Sequence, residues 1–137
     1  MNFTNAVFPG QDQIRAFFGG AEDGPFVMVN LLKFKERADY ADGAEPELSG
    51  RDAYRRYGAA VQACFASAGA RSVYAGEVSG ILLGEVAELW DMVALVEYPS
   101  RAAMMMMLSS VEYLAIEKHR VAGLAGQLNI CTRAIGT

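Results

Sequence analysis

The sequence predicts an α+β protein of the ferredoxin-like class, and three observations lead to that prediction. After a preliminary helix, the residue patterns follow the order β-α-β-β-α-β, which is typical of an antiparallel sheet with helices on one face. The 137 residues are 53% hydrophobic and 20% charged, which excludes a disordered chain. The length predicts one domain over residues 1–137, with an N-terminal helical extension over 1–24 and a ferredoxin-like core over 25–134.

The first two elements are a helix and a strand. The stretch GQDQIRAFFGG places Ile14, Phe17 and Phe18 at helical spacing and stops at a glycine pair, so it predicts a short N-terminal helix. The stretch GPFVMVNLLKFK, residues 24–35, is an apolar run opened by Gly-Pro and predicts the first strand.

A loop and a second helix follow this strand. The polar, acidic and breaker-rich residues 36–48 form an unusually long predicted loop, which we interpret either as a lid over a pocket or as a disordered insertion. Ser49 then begins a capping box with Asp52, which predicts the start of a helix. Gly69 marks its end.

The second half of the chain predicts three strands and a broken helix. RSVYAGEVSGILLG, residues 71–84, is a long strand whose interior glycines indicate a bulge or the close approach of another group. WDMVALVEYP is the third strand, and QLNICTRAI, residues 127–135, is the last. Between these two strands, Ser100 and Ser110 are expected to cap two helical pieces.

Strands one and three are apolar on both faces. The third strand places Val93 and Leu95 on one face and Met92, Ala94 and Val96 on the other. An antiparallel sheet with one face in water would instead alternate apolar and polar residues. We therefore expect a second copy of the chain to cover the second face, giving a homodimer whose sheets face each other.

Charge and composition exclude several classes of function. The net charge of −4 argues against a nucleic-acid-binding protein and against binding to an anionic membrane surface. No apolar run approaches the length of a membrane span, and the first residues lack the pattern of a secretory signal, so we expect a cytoplasmic protein. One histidine and two separated cysteines, Cys64 and Cys131, build no common metal site, and we expect no metal, no cofactor and two buried thiols.

Several stretches between residues 24 and 133 resemble one family. They are MVNLLKFK, AYRRYG, YAGEV, WDMVALVEYPSR, EYLAIEKHR and AGL. Together they resemble a domain-of-unknown-function family of the dimeric α/β-barrel superfamily. The resemblance implies that ferredoxin-like protomers pair into a dimeric α/β barrel. Other branches of this superfamily include cofactor-independent monooxygenases, small isomerases and haem enzymes, which is an analogy of fold alone.

Asn30 is the first candidate site residue, because an amide is unusual in the middle of an apolar strand. It shares its strand face with Phe34 and other apolar residues. One interpretation is that its side chain orients a ligand in a mostly apolar pocket. The other is that it bonds to a neighbouring backbone or side chain and fixes the register of strands or subunits.

Three further residues complete the predicted catalytic set with Asn30. Asp91 follows an aromatic residue at the start of a strand, where a raised pKa would make it a proton acceptor; alternatively, it pairs with an arginine or caps a turn. Tyr54 offers a phenol on a pocket wall, or packs in the core. Arg120 offers bidentate binding of a ligand carboxylate, or bonds to carbonyl groups across the dimer.

The predicted ligand-binding residues are apolar or aromatic: Phe34, Tyr57, Trp90, Met104 and Tyr113. Met104 belongs to a run of four methionines, of which only two can face the protein interior because consecutive helix residues turn by about 100°. His119 is the sole histidine and a candidate base, but it lies in the charged turn EKHR, which is typical of a solvated helix face.

These residues lead to three hypotheses on function. The first is an enzyme without a cofactor that performs proton transfer or oxygenation on a small aromatic or enolisable substrate. The second is a non-catalytic dimer that binds or senses a small organic ligand in the same pocket. The third is a purely structural dimer with a closed core.

Overall fold

The computed structural model describes residues 1–20 and 23–136. Residues 21 and 22 of the predicted extension, and residue 137, lie outside the described residues. The elements follow in this order: α1 (Gln11–Phe18), β1 (Phe26–Phe34), α2 (Gly50–Ala68), β2 (Arg71–Glu77), β3 (Met92–Tyr98), α3 (Arg101–Leu108), α4 (Val111–Gly123) and β4 (Leu124–Thr132). This order confirms the predicted ferredoxin-like β-α-β-β-α-β pattern after one preliminary helix.

The four strands form one antiparallel sheet in the order β2-β3-β1-β4. Strand β1 is central, and its Asn30 lies opposite Ala94 on β3 and Asn129 on β4. On the same face as Asn30, Phe26 and Met28 are buried against residues of α2. Since side chains alternate along a strand, this face of the sheet is the one that the helices cover.

The predicted caps fix where the helices begin. The side chains of Ser49, Ser100 and Ser110 each accept a hydrogen bond from the backbone N–H three residues later, at 3.0 to 3.2 Å. Helix α2 ends at Gly69, whose φ of 70° is the left-handed conformation that glycine adopts without strain. These caps explain why the helix bounds could be read from the sequence.

The beginning of α2 and the end of α4 meet at two buried glycines. A Cβ atom on Gly123 would lie 2.5 Å from the carbonyl oxygen of Gly50 and 3.0 Å from the backbone nitrogen of Tyr54. Neither position has room for a side chain, so the two helix backbones approach closely here. This contact brings Tyr54 on α2 towards the last turn of α4, which contains Arg120.

Two predicted strand bounds were wrong. Strand β2 ends at Glu77 rather than residue 84, because its partner β3 begins only at Met92 and leaves the residues beyond it without a strand to pair with. Strand β4 starts directly after α4, at Leu124, and ends at Thr132 opposite Val27 near the start of β1. The register shift of β2 lies between Ser72 and Tyr74 and not at a glycine, so the predicted bulge is absent from Gly76. The other predicted feature, a close approach, is present there, because a Cβ atom on Gly76 would meet the ring of Tyr74.

The loop over residues 36–48 is packed, so its interpretation as a disordered insertion is wrong. Ala38 and Tyr40 are buried against Ala53 and Ala122 of the helices. The backbone N–H of Ala38 donates to Leu48, and that of Asp39 donates to Ala122. The loop therefore covers the junction of α2 and α4 on the outside of the helix layer.

The other sheet face carries apolar side chains that the helices do not cover. We call it the outer face, and it contains Val27, Val29, Leu31, Tyr74, Val93, Leu95, Leu128 and Ile130. Tyr74 is 59% exposed and Ile130 is 45% exposed. The two-faced apolar pattern of the strands is thus present in the sheet.

Two expectations on sulfur-containing residues have different outcomes. Cys64 is buried, but Cys131 is exposed, because it lies near the end of the edge strand β4; the prediction of two buried thiols is wrong for Cys131. Of the methionine run, Met104 and Met107 are buried, whereas the two between them are exposed, as the helical rotation predicts.

Within the part of the chain that the structure describes, every helix is too short or too polar to cross a membrane.

Candidate functional site

Asn30 forms hydrogen bonds with both neighbouring strands. Its Nδ2 donates to the carbonyl oxygen of Ala94 at 3.1 Å, and its Oδ1 accepts from Gln127 Nε2 at 2.7 Å and from Asn129 Nδ2. Both lone pairs of the amide oxygen are therefore used. These are the partners that a register-fixing amide requires. Asn30 is nevertheless only partly buried, and the neighbouring Asn129 is exposed.

Gln127 connects Asn30 to Arg120. The Nη2 atom of Arg120 donates to Gln127 Oε1 at 2.8 Å and to the carbonyl oxygen of Val7 at 2.6 Å. The connection arises because α4 runs into β4 without a loop, so that Gln127 lies on the first residues of the strand. We call Asn30, Gln127, Asn129 and Arg120 the Asn30–Arg120 network.

Among the described residues, no acidic side chain pairs with the charge of Arg120. Its guanidinium is half-buried, and among the described residues it bonds only to the neutral oxygens of Gln127 and Val7. Its Nε and Nη1 atoms have no acceptor there. Neither atom is among the fully buried atoms without a partner, so both are accessible to solvent or to a ligand that supplies a negative charge.

Three tyrosines lie near enough to Arg120 for its charge to act on their pKa values, and we call Tyr54, Tyr57 and Tyr113 the tyrosine cluster. The ring centroids of Tyr54 and Tyr57 are 5.3 Å apart, and the hydroxyls of Tyr57 and Tyr113 are 3.1 Å apart. Phe34 on β1 continues the cluster, with its ring 5.3 Å from that of Tyr54. The hydroxyl of Tyr54 has no hydrogen-bond partner among the described residues.

Burial sets the protonation state of the cluster. It raises the pKa of Tyr54 to about 12, although the positive charge of Arg120 acts in the opposite direction. Burial also raises the pKa of Tyr57 well above its ordinary value, and it raises the pKa of Tyr113. All three phenols are therefore protonated at neutral pH and act as hydrogen-bond donors rather than as bases.

Asp91 and Trp90 belong neither to the Asn30–Arg120 network nor to the tyrosine cluster. The carboxylate of Asp91 accepts a 2.8 Å hydrogen bond from the backbone N–H of Phe34 and forms a 3.5 Å ion pair with Lys33. This is a strand-end carboxylate, with a lysine in the place where an arginine was expected. Trp90 donates through its indole N–H to Asn5 at 3.0 Å and packs against Phe3.

The structure thus brings together most of the predicted site residues. Asn30 and Arg120 are linked through Gln127, and the tyrosine cluster adjoins Phe34. Met104 lies in the same buried core as Tyr113. Gln127 and Asn129 were not predicted, although polar residues two apart on an apolar strand lie on one face and so offer a signal.

A second group of polar side chains surrounds His119 on the outside of the helix layer. Its Nδ1 atom lies 2.7 Å from the hydroxyl of Tyr40, and both residues line a surface hollow of about 260 Å³ together with Glu45 and Lys118. Glu45 is held by both terminal nitrogens of Arg56, at 2.5 and 2.8 Å. The Asn30–Arg120 network does not line this hollow.

A metal site is absent from the part of the chain that the structure describes. No group of three or more His, Cys, Asp or Glu side chains there is arranged to hold a metal ion.

The comparisons with known proteins identify relatives of the same fold. A model for a domain of unknown function (DUF1330) matches residues 44–133. A protein of unknown function from Rhodopseudomonas palustris is 30% identical, and its crystal structure superposes with a TM-score of 0.88 over 98% of this chain and 100% of that one. No curated protein is found to be similar.

Two more distant solved structures have the fold but little of the sequence. One is a dimeric protein of unknown function with a ferredoxin-like fold from Bacteroides fragilis, 12% identical, with a TM-score of 0.54 over 81% of this chain and 97% of that one. The other is a DABB-family protein with a ferredoxin-like fold from Mesorhizobium loti, 14% identical, with a TM-score of 0.53 over 82% and 99%. They share the predicted ferredoxin-like fold, and the match to the domain-of-unknown-function model confirms the predicted family resemblance.

Proposed function

The chain belongs to the DUF1330 family of domains of unknown function, and we propose that it is a small-molecule-binding protein that takes up a small organic anion beside Arg120. The observation that carries this proposal is the half-buried guanidinium, which has two unused nitrogens and no carboxylate partner among the described residues. An arginine presents its donors in a planar fork that matches a carboxylate or an enolate oxygen pair.

The neighbouring side chains favour a planar ligand. The hydroxyl of Tyr54, which has no partner among the described residues, supplies a further donor near the charge of Arg120. Phe34, Tyr54 and Tyr57 form a run of rings. A mostly apolar wall with a few placed polar groups is typical of small-molecule sites. An aromatic or enolisable anion would pack on the rings and direct its oxygens to Arg120.

The geometry supports binding better than catalysis. The phenols of the tyrosine cluster are protonated donors, and the network contains no carboxylate or imidazole that would act as a base. A catalytic form of the proposal is proton transfer or oxygenation without a cofactor, in which Arg120 and Tyr54 stabilise an enolate oxygen. Asp91, which bonds Lys33 and a backbone N–H, would take no part in it.

One observation favours the purely structural alternative. Asn30 already bonds to Ala94, Gln127 and Asn129, so its amide holds the central strand in register with both neighbours. In that alternative the network only stabilises the fold. The guanidinium of Arg120, which has no acidic partner among the described residues, is then left without an explanation, and we therefore prefer the binding function.

We propose further that the protein is a homodimer in which the outer faces of two sheets pack together. The side chains of the outer face are apolar and partly exposed, as Tyr74 and Ile130 show. The Bacteroides fragilis protein with the same ferredoxin-like fold is dimeric. A two-fold axis would cover both outer faces at once and leave the Asn30–Arg120 network in each protomer on the opposite side of its sheet.

The first experiment is a ligand screen that uses the side-chain amides as reporters. Native mass spectrometry of the purified protein would detect a co-purified organic acid, and two-dimensional NMR would follow the side-chain NH₂ signals of Asn30 and Gln127 during titration with benzoate, phenylacetate and salicylate. We expect at least one anion to shift these signals. Unchanged amide signals with all three anions, together with the absence of any adduct, would refute the proposal.

A further inference from the structure

The segment between β2 and β3 carries three neighbouring apolar side chains in water. We call residues 79–88 the β2–β3 arm. Ile81 is 49% exposed, Leu82 is 103% exposed and Leu83 is 88% exposed. Three consecutive exposed apolar residues are unusual on a soluble surface and mark an interaction site.

The base of the arm is fixed. The backbone N–H of Val78 donates to Asp91 and that of Asp91 donates to Leu32, which continues the pairing of the sheet to the point where the arm leaves it. The Nζ atom of Lys33 donates to the carbonyl oxygen of Leu89 at 3.0 Å. The exposed tip of the arm, residues 81–83, therefore projects from a base that is fixed by hydrogen bonds.

The residues that directly follow the arm, Leu89 and Trp90, lie on the side of the outer face. Lys33 lies on that face by the alternation of β1, and it holds Leu89. Trp90 bonds to Asn5, whose side chain covers Gly126 opposite Lys33. A protein chain that packs on the outer face will therefore contact the arm, which projects from the end of the same face.

We propose that the β2–β3 arm clasps a second copy of this chain, with Leu82 and Leu83 packed on the partner subunit. This inference rests on the homodimer in the proposed function. The arm carries Glu85 and Glu88 and no basic residue, which argues against an anionic membrane surface as the occupant. The same acidic residues would repel each other if two arms paired tip to tip, so the tip packs on the body of the partner.

Dilution of matched variants tests the inference. The dissociation constant of the dimer is measured by sedimentation for the wild type, for a Leu82→Ser/Leu83→Ser variant and for a Val111→Ser/Leu114→Ser control, whose two side chains are exposed on α4. We expect the arm variant to raise the dissociation constant at least tenfold and the control to leave it within twofold. Equal constants for the wild type and the arm variant would overturn the inference, and so would a monomeric wild type.

A photo-crosslink identifies the occupant directly. A benzoylphenylalanine in place of Leu82, in a mixture of ¹⁴N- and ¹⁵N-labelled chains, should yield crosslinked pairs of mixed mass. Crosslinks within one chain only would contradict the clasp. Binding of the wild type to phosphatidylcholine vesicles that is lost in the arm variant would also overturn it, in favour of a lipid surface.

The proposal for the arm and the proposal for the ligand site can be refuted separately. Titration of the arm variant with benzoate should give the same amide shifts as the wild type, because neither leucine belongs to the Asn30–Arg120 network. A dimer that depends on the arm but binds none of the anions would refute the ligand proposal alone.

Discussion

The side chain of Gln127 donates a 2.7 Å hydrogen bond to Asn30, and it also accepts one from Arg120. One glutamine thus joins the only amide of strand β1 to a charged residue of α4. Removing the acceptor at Asn30 would leave two side-chain amide donors unpaired, and unpaired partly buried polar groups destabilise the folded state.

The first prediction concerns Asn30. Asn30→Ala and Asn30→Asp should each lower the free energy of unfolding by about 1–3 kcal/mol. The alanine variant loses the hydrogen bonds of the amide. In the aspartate variant, the second carboxylate oxygen would face the carbonyl oxygen of Ala94. Urea denaturation measures the change. Asn2→Ala, at an exposed position, is the control. Stability equal to that of the wild type would show that the network does not support the fold.

The second prediction concerns the close approach of α2 and α4. Gly123→Ala should destabilise the protein by about 1–3 kcal/mol, since the new methyl group would meet backbone atoms of Gly50 and Tyr54. Gly58→Ala on α2 is the matched control, because open space surrounds its Cβ position and alanine favours a helix by about 0.5–1 kcal/mol. Thermal and urea unfolding of the pair should therefore move in opposite directions. Equal shifts would contradict the packing.

The third prediction concerns Tyr54 in alkali. Its pKa is about 12 in the folded protein against the ordinary tyrosine value of 10.0, so its contribution to stability is complete below pH 10 and is lost as the pH rises towards 12. The loss should reach about 2–3 kcal/mol. Tyr54→Phe should flatten this part of the stability curve, whereas Tyr74→Phe, at an exposed phenol, should not. An unchanged slope in Tyr54→Phe would refute the assignment.

The fourth prediction concerns His119. Burial lowers its pKa first, Lys118 and Arg56 lower it further, and Glu45 raises it. The folded state then binds a proton less readily than the unfolded state, so this stabilisation is present above pH 6.5 and decreases as the pH falls below it. The single imidazole makes its NMR titration unambiguous. A midpoint above 6.5, or an acid-induced loss of stability that His119→Gln does not reduce, would contradict the prediction.

Local patterns predicted most of the fold. The serine caps and Gly69 fixed the helix bounds, and the alternation along β1 and β3 identified two apolar faces. The ends of β2 and β4 were missed because they depend on where the partner strand begins or ends, which is a property of the sheet. The sequence leaves open whether the loop over 36–48 is a lid or a disordered insertion, and the packing that excludes the disordered insertion is on Ala53 and Ala122, which are distant in the sequence.

Only part of the candidate site could be predicted, because the rest also depends on contacts between residues distant in the sequence. Asn30 and Arg120 were identified by residue type, but their link through Gln127 depends on α4 entering β4 without a loop. The sequence predicts Asp91 in the same site because it follows Trp90, whereas in the structure its carboxylate bonds to Lys33 and to the backbone N–H of Phe34. The register of the strands determines which polar side chains form hydrogen bonds with each other.

The most direct test of the anion-binding function compares benzoate with benzamide, which has the same ring but no charge. NMR titration of the wild type should give at least tenfold tighter binding of benzoate, and Arg120→Gln should abolish this preference while Arg55→Gln, an exposed arginine on α2, preserves it. A wild type that binds both compounds equally, or an Arg120→Gln variant that binds benzoate as tightly as the wild type, would contradict the proposal.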